Sequence, residues 1–153
     1  MKIAALAILL LTACACHQRP PHTPSEISDA MLHYDTLLRK MDADSIAWLY
    51  APDGQLGTIA RGRDSIRRFL SSFKDVHVLR VGSTTRDITI KIDTAFHTGT
   101  YFQDVIVPSN NTANPNDTPH LKDTAHLKGT FQAEWVWYET GGWKIRKMTT
   151  KPE

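Results

Sequence analysis

The chain divides by the spacing of its apolar residues. From Ser25 onward, Ile27, Met31, Tyr34, Leu37, Leu38 and Met41 recur at three- and four-residue intervals. That spacing predicts an amphipathic helix of about four turns with one core face. Ser25, directly after Pro24, is a suitable cap for it. Asp42-Ala43-Asp44 breaks the run, and Asp44 or Ser45 can cap a shorter helix through Tyr50. Its core candidates are Ile46, Leu49 and Tyr50, with Trp48 on a neighbouring face. Pro52-Asp53-Gly54 supplies turn chemistry, and a short strand is expected near Gln55–Ile59. A third helix is expected from about Asp64, with Ile66, Phe69, Leu70 and Phe73 on one face. Gly62 suits its tight entry, and Asp64 places negative charge at the positive end of the helix dipole.

After Lys74 the period changes from 3.6 to two. Val76, Val78 and Arg80 alternate with His77, Leu79 and Val81, and Gly82 suggests a bulge. Ile88, Ile90 and Ile92 give either a second piece of the same bent strand or a separate one. Asp93-Thr94 marks a turn, and Ala95–Val107 reads as a long strand with Gly99 at a bend or close contact. Pro108–His126 is long and polar, the kind of loop that is either functional or loosely ordered. Leu127–Glu139 is the next long strand, and Thr140-Gly141-Gly142 turns it into an antiparallel partner over Trp143–Thr150.

Two stretches before this pattern change where the protein is expected to be. Met1–Cys14 has one lysine followed by an apolar run from Ile3 to Leu11, short for a membrane span and typical of a targeting segment. It ends in Leu11-Thr12-Ala13-Cys14, which resembles the lipobox of bacterial lipoproteins. That resemblance implies cleavage before Cys14, acylation of its thiol and a membrane anchor. Ala15 after the cysteine, instead of Asp, favours sorting to the outer membrane under the enterobacterial rule. A periplasm-facing domain is the expectation, although the lipobox itself does not fix which way the domain faces. An ordinary secretory peptide or a buried apolar start is the alternative. His17–Pro24, HQRPPHTP, reads as an extended tether. His17 and His22 are metal-capable by type, but flexible tether histidines are the plainer reading.

Cleavage leaves Cys14–Glu153, 140 residues and one ordinary domain. The second cysteine, Cys16, lies on the tether, so the globular part holds no disulfide and no cysteine-based metal site. With 18 basic and 16 acidic residues the formal charge is +2, or +1 once Lys2 is removed. That balance excludes general attraction to nucleic acid. Arg61, Arg63, Arg67 and Arg68 form the densest basic cluster, read as a solvated helix face balanced by Asp64 or as an anion site. His120, Asp123 and His126 are zinc ligands by type. Nothing there predicts a helix to bring them together, so no metal is expected.

The stretch Leu49–Phe69, "LYAPDG…RGRDSIRRF", resembles the nuclear transport factor 2-like superfamily, especially its SnoaL-like branch. "VWYETGGWKI" resembles the C-terminal hairpin of that family. The resemblance implies an α+β cone, a curved and mostly antiparallel sheet wrapped around three N-terminal helices. It also implies a conical pocket and, often, a dimer formed through the open sheet face. Those residues build a scaffold that hosts many functions.

On the register of the ketosteroid isomerase branch, Tyr34 falls on the tyrosine that stabilises the oxyanion, and Glu134 near the acidic oxyanion donor. The catalytic carboxylate of that branch has no counterpart, because about Thr58 stands there. His97 shares a strand face with Ala95, Gly99 and Tyr101; facing inward, it would suit a general base at neutral pH. Trp48, Tyr50, Asp53, Tyr101 and Trp137 are pocket candidates. Each has a plainer reading: core packing for Tyr34 and the tryptophans, a turn for Asp53, a satisfied or exposed ring for His97 and solvent for Glu134. No Ser-His-Asp order, phosphate loop or dinucleotide motif is present, so no cofactor is expected. The sequence therefore points to a lipoprotein that binds a small apolar or amphipathic ligand. An acid–base enzyme of isomerase or dehydratase type and a homodimeric interaction module are the alternatives.

Overall fold

The computed structural model describes residues 21–106 and 124–153. The expectations placed on Met1–Cys14, Cys16, His17, His120 and Asp123 lie outside the described residues. The elements run α1 (Pro24–Lys40), α2 (Ala43–Leu49), β1 (Tyr50–Leu56), β2 (Ala60–Arg61), α3 (Arg63–Ser71), β3 (His77–Lys91), β4 (Thr94–Ile106), β5 (Thr124–Tyr138) and β6 (Gly142–Pro152). The described strands form one curved, unclosed sheet of order β2-β1-β6-β5-β4-β3. Pairing is antiparallel throughout except for β1 and β6, which run parallel. This is the α+β cone implied by the resemblance. Among the described residues no helix is long and apolar enough to cross a membrane.

The stripe on α1 behaves as its spacing demands: Ile27, Met31, Tyr34 and Leu37 are all buried. The cap lies earlier than Ser25. Thr23 takes the extended capping conformation, its backbone N–H donates to the Glu26 carboxylate at 3.1 Å, and Pro24 occupies the first helical position. A proline there gives up an N–H that the helix could not have used. Asp42 caps α2 by accepting the Ser45 N–H at 3.0 Å. Tyr50 belongs to β1 instead of α2, because it pairs with Ile145 of β6. The first strand is therefore Tyr50–Leu56, and Ile59 sits exposed in the turn to β2. Gly62 enters α3 at a φ of 78°, which a side chain would disfavour.

β3 is a single bent strand with two register shifts, between Val78 and Arg80 and between Thr85 and Asp87. Each bulge reverses the alternation. Inward positions thus pass from Val76 and Val78 to Val81 and Ser83, and then to Ile88 and Ile90. The bulges flank Gly82, which lies against the Phe102 ring. Gly99 is a close contact: a Cβ there would collide with the Thr84 carbonyl and stand 2.6 Å from the Phe131 ring. β5 begins at Thr124, three residues before the expected Leu127.

Ile27, Tyr50, Ala95, Trp135 and Ile145 fill the end of the cone beside the β5–β6 turn. His22 docks at that same end, which corrects its reading as a flexible tether residue. Its ring packs on Trp137 and Trp143 at centroid distances of 4.5 and 4.7 Å. Its Nδ1 lies 2.7 Å from a Glu26 oxygen that also accepts the Trp143 indole N–H at 2.8 Å. These two hydrogen bonds hold the Glu26 carboxyl down at about 2.

Candidate functional site

The other end of the cone is hollow. A chamber of about 550 Å³ lies between α1, α3 and the inner faces of β3, β4, β5 and β6. Met31, Leu38, Met41, Leu56, Leu70, Val81, Val105 and Met148 give it aliphatic walls. Tyr34, Phe69, Phe73, Tyr101 and Phe131 add aromatic ones. The exposed side chains of Phe73, His126, Leu127, Lys128 and Glu153 form its rim. Lys128 pairs with Glu153 at 3.4 Å, the His126 Nδ1 lies 2.8 Å from an Asp104 oxygen, and Arg80 beside the rim pairs with Asp104 at 3.4 Å.

Polar groups within the chamber are few. Helix α1 contributes Tyr34 and Asp35, because positions 31, 34, 35 and 38 share a face at 3.6 residues per turn. The Tyr34 hydroxyl stands 3.5 Å from that of Tyr50, which in turn donates to the Met148 sulfur at 3.9 Å. Burial pushes both phenols above their ordinary range, so both stay protonated at neutral pH. Asp35 is half-buried and accepts a 2.6 Å hydrogen bond from the Ser83 hydroxyl. Burial raises its carboxyl, and hydrogen bonds from Ser83 partly offset the rise. No cationic side chain among the described residues pairs with it. Tyr101, Gln103 and Thr150 complete the polar lining.

The residues singled out from the sequence scatter around this chamber. Tyr34 and Tyr101 line it, and Tyr50 is buried just behind Tyr34. His97 faces inward but lies in the packed core, behind Phe131, with no exposed surface. Its Nε2 is 2.9 Å from the Thr85 hydroxyl, while its buried Nδ1 has no partner among the described residues. Burial pushes this imidazole down to about 4, against a smaller opposing effect of Asp87. Glu134 points to the outer sheet face, because its neighbours Ala133 and Trp135 point inward, and it is bound to Arg146 at 2.8 Å. His97, Tyr34 and Glu134 therefore do not converge. Trp137 belongs to the His22 cluster at the far end. Asp53 and Thr58 are exposed and line neither this chamber nor the cleft beside Trp48.

Trp48 is exposed beside a separate cleft of about 510 Å³ lined by Arg61, Arg63 and Arg67. Its charges are largely matched. Arg67 lies 3.7 Å from Asp44 and 3.4 Å from Asp64, and Arg63 stacks on Trp48 at 4.4 Å while donating to the Tyr50 carbonyl at 2.8 Å. The His126 of the former zinc triplet stands on β5, and the described residues contain no group of three metal-capable side chains.

Asp35 is the functional candidate that the sequence reading passed over. Its signal was present: an acid four residues after Met31 and three before Leu38, inside an otherwise apolar stripe.

A family model for the SnoaL-like domain matches residues 22–149. No curated protein matches the sequence significantly. Solved structures share the fold at low identity. A ketosteroid isomerase-like protein from Erwinia carotovora atroseptica superimposes with a TM-score of 0.66 at 16% identity, over 84% of this chain and 94% of that one. A putative scytalone dehydratase from Novosphingobium aromaticivorans gives 0.63 at 15% identity, over 84% and 83%. A nuclear transport factor 2-like superfamily protein from Salmonella enterica gives 0.65 at 15% identity, over 84% and 89%.

Proposed function

This chain belongs to the SnoaL-like domain family, and on that premise we propose that it binds a small apolar or amphipathic molecule in the open chamber. The observation that carries this reading is the chamber itself. Its volume of about 550 Å³ falls in the range of small-molecule sites, roughly 300–1,000 Å³. Its lining is mostly aliphatic and aromatic, with the few polar groups of Tyr34, Asp35, Ser83 and Tyr101 set to orient a ligand. The test is binding of a neutral, polarity-sensitive fluorescent probe such as N-phenyl-1-naphthylamine. Val81→Trp, which fills the chamber, should abolish the fluorescence gain, and Trp48→Ala should leave it intact. Equal binding by all three proteins would place the probe elsewhere and refute the reading.

We further propose that the domain is carried on an outer-membrane lipoprotein facing the periplasm and anchored through Cys14. The motif Leu11-Thr12-Ala13-Cys14 and the tether after it support this. Metabolic labelling with a fatty acid, lost in Cys14→Ser, tests it.

Acid–base chemistry of isomerase or dehydratase type is the second reading. It is favoured by the presence of both Tyr34 and Asp35 in one chamber, and by the names of the two similar structures above. On this geometry the proton would move through Asp35, with Tyr34 as hydrogen-bond donor, and not through His97 or Glu134. A turned-over substrate that is processed equally by Asp35→Asn would exclude it. A homodimer through the outer sheet face is a further proposal, supported by Phe96, Phe102 and Tyr138 exposed there. Sedimentation of a monomer at high micromolar concentration would exclude it.

A further inference from the structure

The charges around the chamber are unequal in one respect. Among the described residues at and beside the rim, Lys128 is already matched to Glu153 and Arg80 to Asp104. Asp35 is the acid of the chamber wall that has no positive partner among the described residues, and its one side-chain hydrogen bond comes from Ser83. A carboxylate held against apolar walls without a counter-charge is costly, and a partner that brings a positive charge recovers the loss. Resting on the reading of the chamber as a ligand site, we propose that its ligand is an amphipathic amine whose protonated nitrogen pairs with Asp35.

The rest of the lining suits such a molecule. Tyr34, Phe69, Phe73, Tyr101 and Phe131 present aromatic rings within the same space, and ring faces attract cations as well as apolar groups. The aliphatic walls accept an unbranched or cyclic hydrocarbon body. A carboxylate of the same shape would meet Asp35 as a like charge, and an alcohol would donate a hydrogen bond without bringing a counter-charge. Asp35 is thus the specificity-determining residue of the chamber, and Ser83 positions its carboxylate. Because burial raises the Asp35 carboxyl, acidification neutralises it at a higher pH than an ordinary aspartate. Amine binding should therefore weaken as the pH falls toward that range, while binding of the neutral analogue holds.

The experiment uses three molecules of one shape and different charge: 2-(1-naphthyl)ethylamine, 2-(1-naphthyl)ethanol and 1-naphthylacetate. Their binding to the full chain carrying Cys14→Ser is measured by calorimetry at pH 7.5. The amine should bind about tenfold or more tighter than the alcohol, the scale of a charge-assisted hydrogen bond, and the carboxylate weakest. Asp35→Asn should bring the amine to the level of the alcohol while leaving the alcohol within about threefold; Asp35→Glu should keep the preference. The ligand series on the unsubstituted protein stands even if Asp35→Asn folds poorly. Equal affinity for amine and alcohol, or a preference for the carboxylate, overturns the charge inference and leaves the chamber as a neutral site. No binding by any of the three, with no response to Val81→Trp, overturns the chamber reading and the charge inference with it.

Discussion

Replacing His97 by leucine should change how stability depends on pH far more than it changes stability at neutral pH. In the folded protein this imidazole is fully buried between Phe131 and Trp135, and burial holds its pKa at about 4 against an ordinary 6.5. Between those values the unfolded chain takes up a proton that the folded chain refuses. The unfolded state then binds more protons, so stability falls as the pH drops from about 6.5 toward 4. The gap corresponds to up to about 3 kcal/mol, at about 1.4 kcal/mol per pH unit. Leucine has a similar bulk and does not titrate. At pH 7 its effect should stay within about 1.5 kcal/mol, the scale of the lost Thr85–His97 hydrogen bond. Thr85 is exposed and can bond to water instead.

The assay is urea unfolding of both proteins at pH 7.0, 5.5 and 4.5. The difference in free energy between them should move by about 2 kcal/mol in favour of the leucine variant on acidification. Other acids cancel in that difference. Glu26, for example, is depressed to about 2, so its contribution is present above 4.5 and lost only below it, in both proteins alike. Parallel profiles would show that His97 takes up protons in the fold as freely as out of it. That result would refute its assignment to the packed core and return it to the list of candidate bases.

Three further substitutions probe the frame around the chamber. Gly99→Ala should destabilise by at least about 2 kcal/mol in thermal unfolding, because its Cβ would press on the Thr84 carbonyl and the Phe131 ring. Trp143→Phe removes the indole donor to Glu26; a cost of about 1–3 kcal/mol is expected. An NMR titration should show the Glu26 carboxyl rising from about 2 toward its ordinary value, and an unchanged value would contradict the cause assigned to it. Tyr34→Phe should cost less than about 1 kcal/mol, because the hydroxyl contact to Tyr50 is long at 3.5 Å.

Local periodicity carried the helices well, because Ile27, Met31, Tyr34 and Leu37 face one continuous core and nothing interrupts their phase. It failed on β3, where two bulges reverse the alternation and no residue type announces either one. Gly82 looked like the bulge and is instead the floor for the Phe102 ring. The docking of His22 was invisible in HQRPPHTP, since its partners Trp137 and Trp143 arrive from the other end of the chain. The chamber followed from the family fold, but its chemistry did not. Glu134 could be placed on either face until Ala133 and Trp135 were seen to be buried. Asp35 was legible in principle from the helical phase of Met31 and Leu38, but only Tyr34 beside it matches a position of the resembled family.

Ligand occupancy of the chamber is most directly measured through methionine methyl groups. Besides Met1, the methionines are Met31, Met41 and Met148, and all three of these line the chamber. In a ¹³C-methyl-methionine spectrum of the protein, titration with 2-(1-naphthyl)ethylamine should shift these three resonances together and saturably. In a parallel ¹H–¹⁵N spectrum the Trp48 indole N–H signal, on the separate cleft, should stay still. Saturable shifts at Trp48 with the three methyl groups unmoved would contradict ligand binding in the chamber.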